Sequence, residues 1–303
     1  MSDQLNDAPR IGIAPDSWGV WNAVDPVQPA PEQYLREVAE AGFHWTELGP
    51  FGYLGTDVVQ LRDRLDALSA GTVFTGLHRG PAAIEAAWRE ISEIASIVAA
   101  LGGEHLITIP ELWERGESGM VLGAREFSAA EWHHLVAGHD EIGRRLGAEF
   151  GLAQQFHSHA ESPIGSYREV VRFLEHTDPA HTNLCLDTGH LAYYFGDSVQ
   201  LIEAFPDRIG YLHLKQVEPE LLAHVLKNDI SFSDAVVQGV MVEPPLGVPD
   251  SAPVLERAAA HHSGIFAVIE QDMYPVADFS LPVQIAKRTH EYLAGCGAPA
   301  RFR

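Results

Sequence analysis

Only two cysteines occur in the 303 residues, Cys185 and Cys296. Two thiols cannot make a disulfide framework, and Cys185 sits inside an apolar run, so the chain reads as reduced and cytoplasmic. Basic residues are scarce as well. Lys and Arg number 20 against 42 Asp and Glu, a formal net charge of −22. So acidic a chain argues against nucleic-acid partners and against docking on an anionic membrane, while leaving small neutral or cationic ligands open. No apolar run approaches the roughly 20 residues of a membrane span. Met1 to Arg10 lacks the apolar stretch of a secretory signal and reads as a flexible N-terminus. No low-complexity linker and no repeat beyond a strand–helix alternation divides the chain. No Gly-rich dinucleotide turn follows the first apolar run, which argues against an open doubly wound sheet.

What the chain has is a regular alternation of short apolar runs and amphipathic segments. The runs predict strands over 11–14, 43–48, 72–77, 105–109, 149–156, 183–187, 209–214 and 265–270. Helices are predicted between them over 31–42, 56–68, 81–101, 128–147, 166–176, 198–205, 253–262 and 282–294. Ser128 with Glu131 three residues on is a capping box. Residues 218–250 look irregular, with a short helix after Ser233 and the Pro-rich stretch 244–249. Eight strand–helix pairs predict an α/β fold, a single-domain (β/α)8 TIM barrel over 11–295, followed by a C-terminal tail over 296–303.

In such a barrel the C-terminal strand ends converge on one site. Here those ends carry chemistry. Leu184-Cys185-Leu186-Asp187-Thr188-Gly189-His190 and Tyr211-Leu212-His213-Leu214-Lys215 are apolar runs that finish in polar side chains. Asp16, Glu47, His78, Glu111, Gln155, His157, His159 and Glu270 stand at or just past the other ends. Any one of them alone is more often a helix cap or a loop hydrogen-bond acceptor. Asp187, His213 and Glu270 together make a mixed carboxylate and imidazole set suited to Mn²⁺, Co²⁺, Fe²⁺ or Zn²⁺, and such an ion polarises a carbonyl. Trp18, Trp45 and Phe51 are candidates for an apolar wall under a sugar ring, or for plain packing.

The motifs Leu186-Asp187-Thr188-Gly189-His190, Tyr211-Leu212-His213-Leu214-Lys215 and Ile269-Glu270-Gln271-Asp272 resemble the xylose-isomerase-like TIM-barrel superfamily of sugar isomerases, epimerases and dehydratases. Ile13-Ala14-Pro15-Asp16-Ser17-Trp18-Gly19, the stretch 46–57 and His157-Ser158-His159 are similar to its inosose dehydratase branch, which removes water from a keto-inositol. The resemblance runs from Ile11 to about Leu293. It implies a divalent ion, Mn²⁺ first, with Co²⁺, Fe²⁺, Zn²⁺ or Mg²⁺ as alternatives, held by Glu, Asp, His and Glu from strands five to eight. Asp187, His213 and Glu270 match three of these, and the strand-five position falls on Gln155, a departure. A glutamine cannot act as a base, so the two-glutamate proton shuttle of the epimerases loses a member. His157, two residues on and so on the same strand face, is the substitute ligand or base.

The resemblance therefore implies α-proton abstraction, a metal-stabilised enediolate and β-elimination on a keto-sugar or keto-cyclitol. His157 or Glu270 is the expected base, and His159, His190 or Glu47 the expected acid. Asp16, Trp18, His78, His159 and Lys215 are expected to bind substrate. Isomerisation or epimerisation, β-eliminating cleavage of a 3-keto glycoside, and a non-catalytic sugar-binding barrel are the alternatives. A DNA-repair endonuclease on a related barrel conflicts with the −22 charge. The expected partner is a small keto-sugar or cyclitol, and self-association into a homo-oligomer is compatible with such barrels.

Overall fold

A computed structural model describes residues 7–117 and 119–303. Residues 1–6, most of the expected flexible N-terminus, lie outside the described residues. Among the described residues there are ten strands: β1 Arg10–Ile13, β2 Trp45–Glu47, β3 Ala67–Thr75, β4 His105–Pro110, β5 Ala153–His157, β6 Thr182–Asp187, β7 Ile209–Leu214, β8 Gln216–Val217, β9 Met241–Val242 and β10 Phe266–Ile269. Eight of them close a parallel barrel in the order β1-β10-β7-β6-β5-β4-β3-β2, while β8 and β9 form a separate antiparallel pair. This is the expected (β/α)8 architecture. β1 and β10 close the ring in register, Ile13 opposite Ile269.

Strand alternation sorts the side chains into two cores. Ala70, Ile107, Ile109, Cys185, Tyr211, Phe266 and Val268 fill the inside of the ring. The larger core lies between the strands and the surrounding helices, with Leu106, Phe156, Leu186 and Leu212 facing Ile94, Leu135 and Phe173. Helix Ala129–Phe150 carries the expected capping box, both hydrogen bonds between Ser128 and Glu131 being made. Its Gly143 is required by close approach, because a Cβ there would come within 1.9 Å of the His181 carbonyl oxygen.

Several boundaries differ from the sequence expectation. The second helix ends at Arg64, so Leu68 belongs to β3 and packs in the main core rather than on a helix face. Helix Ala129–Phe150 runs over the expected start of β5. Its polar residues still hold helical spacing there, and Gly151 in the left-handed conformation stops it. The stretch expected to be irregular is largely ordered, with helices Pro219–Lys227 and Phe232–Val237 around the β8–β9 pair. Their apolar faces, Leu222, Val225, Ala235 and Val236, form a small core of their own with Tyr193 and Val240. The tail is pinned at Arg301, whose backbone N–H donates to Pro9 O at 2.8 Å and whose carbonyl accepts from Ile11 N at 2.7 Å.

Candidate active site

The sequence motif around β6 has a physical reading residue by residue. Asp187 ends the strand and caps the short helix Thr188–Tyr193, Oδ1 accepting the His190 N–H at 2.8 Å. That leaves Oδ2 to face the barrel axis. The Thr188 hydroxyl bridges to β7, donating to Lys215 O at 2.7 Å and accepting from Lys215 N at 2.9 Å. Gly189 leaves room for the stem of Lys215, whose Cγ would lie 2.5 Å from a Cβ at that position. The motif thus holds one carboxylate and threads one buried lysine into the same space.

Around Asp187 Oδ2 four side chains converge. One ligand atom from each of His157, Asp187, His213 and Glu270 lies within 4.8 Å of all the others, and all four residues are buried. His157 Nε2 is 3.3 Å from Asp187 Oδ2 and 3.8 Å from Glu270 Oε2. His213 Nδ1 is 3.6 Å from Asp187 Oδ2 and 2.9 Å from Glu270 Oε2, without making a hydrogen bond. On the far side of the ring, His213 Nε2 lies 2.9 Å from Glu47 Oε1. Glu47 is held in turn by the hydroxyls of Tyr211, at 2.9 Å, and Thr72, at 3.3 Å.

Gln155, the expected strand-five ligand, stands apart from these four side chains. It lies one alternation deeper in the barrel, where Nε2 reaches His105 Nδ1 at 3.1 Å and the amide packs over Gly210. His157 occupies the strand-five position among the four.

Lys215 is fully buried, with Nζ 2.7 Å from Asp272 Oδ2, 2.9 Å from Glu270 Oε2 and 3.2 Å from Asp187 Oδ2. Burial alone lowers its pKa, but Asp187, Asp272 and Glu270 outweigh that and hold it well above the usual lysine range. Burial raises the two carboxyls in the cluster. Lys215 and His190 reverse this at Asp187, and His213 and Lys215 do so at Glu270, so both stay well below the usual carboxylate range. His159 is pushed down to about 3 by burial, then by His157 and Lys215. Asp272 is raised to about 6, by burial first and by Glu270 against the pull of Lys215. Asp16 is raised well above the carboxylate range by burial, Glu270 and Asp272.

A cavity of about 790 Å³ opens above this group, lined at its inner end by Asp16, His157, His159, Lys215, Glu270 and Asp272. Phe51, a candidate for the apolar wall, also lines the cavity, and the other expected site residues lie elsewhere. Glu47 and His190 are buried behind the lining, the His190 ring tilted against that of His159 with centroids 3.7 Å apart. Trp18 is buried against Tyr34 and donates its indole N–H to Glu37 at 2.8 Å, so it is packing and not a sugar platform. His78 sits on a 3-10 turn over Phe127, and its neighbour Glu111 pairs with Arg79 at 2.8 Å. Trp45 packs against Phe266 inside the ring. Asp272 received no role from the sequence, although it continues the alternation from Glu270. Arg115, Phe74 and Phe232 also line the cavity and carry no strand-end signal.

Four donors of imidazole and carboxylate type, with the cluster-facing His213 Nδ1 left without a hydrogen-bond partner and Glu47 behind its ring, fit a divalent ion of the Mn²⁺ to Zn²⁺ range. Residues 35–294 match the family model of the xylose isomerase-like TIM barrel, and the chain belongs to that family. The inosose dehydratase of Geobacillus kaustophilus (strain HTA426) is 27% identical over 297 residues, covering 94% of this chain and 93% of the relative. The rhizopine catabolism protein MocC of Rhizobium meliloti is 28% identical over 301 residues, covering 97% of this chain and 90% of the relative. Among solved structures, the probable 3-DHS dehydratase AsbF from Bacillus anthracis superposes with a TM-score of 0.66 at 14% identity, covering 94% of this chain and 99% of that one. The IolI protein with a bound zinc atom gives 0.67 at 13% identity, covering 92% and 96%. No helix among the described residues is long and apolar enough to cross a membrane.

Proposed function

We propose that this protein is a divalent-metal-dependent lyase that eliminates water from a keto-cyclitol or keto-sugar. The observation that carries the reading is the convergence of His157, Asp187, His213 and Glu270 beside a buried, cationic Lys215 at the floor of the cavity. The similarity to inosose dehydratases over nearly the whole chain supports it. His157, Asp187, His213 and Glu270 would hold the ion, which supplies Lewis-acid polarisation of the substrate ketone.

The chain's own groups supply the rest. Glu270, held as a carboxylate, accepts the proton α to the ketone. The Lys215 ammonium donates hydrogen bonds to the oxygen where negative charge develops. Asp16, kept protonated by burial beside Glu270 and Asp272, gives its proton to the departing hydroxyl, which leaves as water. His159 is neutral and positions the ring's hydroxyl groups. Elimination is favoured over epimerisation because β5 presents an imidazole where a second carboxylate base would be needed.

The test is metal content of wild type and Asp187→Ala, followed by proton NMR of a keto-inositol in D₂O. One equivalent of divalent ion, lost in the variant, with a dehydrated dione as product, is the expected result. Deuterium uptake without loss of water makes the enzyme an isomerase or epimerase. Absence of both metal and exchange makes it a sugar-binding barrel.

A further inference from the structure

Among the described residues, three other than glycine take the left-handed backbone conformation: Glu161 at φ 58°, Phe195 at φ 62° and Asp229 at φ 49°. A Cβ is disfavoured there, and such residues persist only where their surroundings hold them. The three are linked. Arg115, on the loop after β4, clamps both acidic members, Nε donating to Glu161 Oε1 at 3.0 Å and Nη2 to Asp229 Oδ1 at 3.1 Å. The Glu161 N–H donates at 3.0 Å to the hydroxyl of Tyr194, the residue before Phe195.

The two halves of the clamp differ. Arg115 and Glu161 leave only 11% and 10% of their side chains exposed, and the Glu161 carbonyl also takes the Trp113 N–H at 2.6 Å. Asp229 is 54% exposed, and its second partner, Arg125 at 2.8 Å, is 47% exposed. A pair open to water contributes little and is screened by salt, and a buried pair is screened much less. The joint at Asp229 is therefore the one that yields first. Asp229 lies between helices Pro219–Lys227 and Phe232–Val237, whose small core is separate from the main one. A unit with few buried contacts opens at lower free energy than the barrel itself.

The same segment reaches the cavity. Ser231, Phe232, Ser233 and Asp234 line it. The Phe232 ring lies against those of His159 and His190, with centroids 5.0 and 5.1 Å away, and so covers two histidines of the site.

We infer that helix Phe232–Val237 and the turn at Asp229 form a strap that gates the site, latched by the pairs of Asp229 with Arg115 and Arg125. Opening breaks these pairs, lets Asp229 leave the left-handed conformation and lifts Phe232 off His159 and His190. Closing excludes water from the charged floor. The Arg115–Glu161 pair stays made in both states and keeps the loop after β4 in place. The strap rests on that floor being where the reaction occurs, and not on which reaction it is.

Chemical labelling reads the strap without turnover. Mn²⁺-loaded wild type, Asp229→Asn and Arg125→Ala are treated with diethyl pyrocarbonate, and acylation of each histidine is followed by peptide mass spectrometry. Asparagine tolerates the left-handed conformation, so Asp229→Asn removes the charge alone. Raising NaCl to about 1 M is expected to speed acylation of His159 in wild type by roughly threefold, the weight of one exposed pair. Both variants should label at the faster rate with or without salt, while the exposed His133 on helix Ala129–Phe150 stays unchanged. Equal His159 rates in wild type and both variants overturn the latch. An equal acceleration at His139, buried in the wall of the barrel, also overturns it, because the whole fold has then loosened. Dehydration of keto-inositol is measured on the same samples. Salt-gated labelling without dehydration leaves the strap standing and sinks the lyase reading, and dehydration with ungated labelling does the reverse.

Discussion

His213 faces Glu47 through Nε2 at 2.9 Å and Glu270 through Nδ1 at 2.9 Å, on opposite sides of one ring. A carboxylate only accepts hydrogen bonds, so Glu47 fixes the Nε2 proton and turns the Nδ1 lone pair toward Asp187 and Glu270. Glu47 therefore acts through His213. Glu47→Gln, which keeps the shape and the hydrogen bonds of Tyr211 and Thr72 within reach, should weaken Mn²⁺ or Zn²⁺ affinity about 10–100-fold. Competition with a chromogenic chelator measures this, and unchanged affinity with lost activity would return Glu47 to an acid–base role.

Lys215 touches three carboxylates but offers no lone pair to a cation while protonated. Lys215→Met should leave one equivalent of metal bound while kcat falls by about 10²–10³, the cost of removing one donor to a developing oxyanion. Loss of the metal along with the activity would show that Lys215 serves the cluster's charge balance instead.

Metal and stability are linked, because the four donors are scattered along the chain from 157 to 270 and come together only on folding. Mn²⁺ at a hundred times its Kd should stabilise the wild type by about 2.7 kcal/mol and raise Tm accordingly, while Asp187→Ala should show no Mn²⁺-dependent shift. Differential scanning calorimetry with and without chelator reads this directly. A shift of equal size in the variant would place the binding elsewhere.

Away from the site, His139 lies on the buried face of helix Ala129–Phe150 against Phe156 and Phe173, and burial lowers its pKa to about 3. His105 is lowered to about 4, by burial first. Both sit below the ordinary value of 6.5, so between their folded pKa values and that value the unfolded chain binds the extra protons. Stability therefore rises with pH through this window and is complete above it. As pH falls toward 4, each group gives up about 1.4 kcal/mol for every pH unit crossed. Urea midpoints at pH 7 and pH 5 should differ less in His139→Gln than in wild type. An identical difference would mean that His139 contributes nothing to acid sensitivity.

Much of this was legible from residue order. The strand-end motifs of β6, β7 and β10 locate three of the four converging donors, because a TIM barrel sends every strand end to one rim. Position within a strand was harder to read. Gln155 and His157 share a face and differ only in depth, and depth depends on the stagger between neighbouring strands, with His157 opposite Cys185 across the β5–β6 ladder. Asp187 was both of the things weighed for it, a helix cap through Oδ1 and a cluster member through Oδ2. Trp18 misled because an indole near a strand end says nothing about which way the following 3-10 turn points it. The loop after β4, which reaches the cavity at Arg115, left no trace in spacing, since its placement rests on ion pairs between segments far apart in sequence, such as Arg115 with Asp229.

The closure of the ring by β1 and β10 also sets an order of events. Arg10 of β1 donates to the Gly264 carbonyl, 254 positions later, and Arg301 then laces against Pro9 and Ile11. During synthesis β1 can pair with β2 early, yet its other edge must wait until nearly the whole chain has emerged. Until then it is an apolar parallel strand with an open side, the kind of surface that recruits chaperones or neighbouring nascent chains. The seam between β1 and β10 is thus the last joint to set, and yield of soluble protein should depend on how quickly that joint forms.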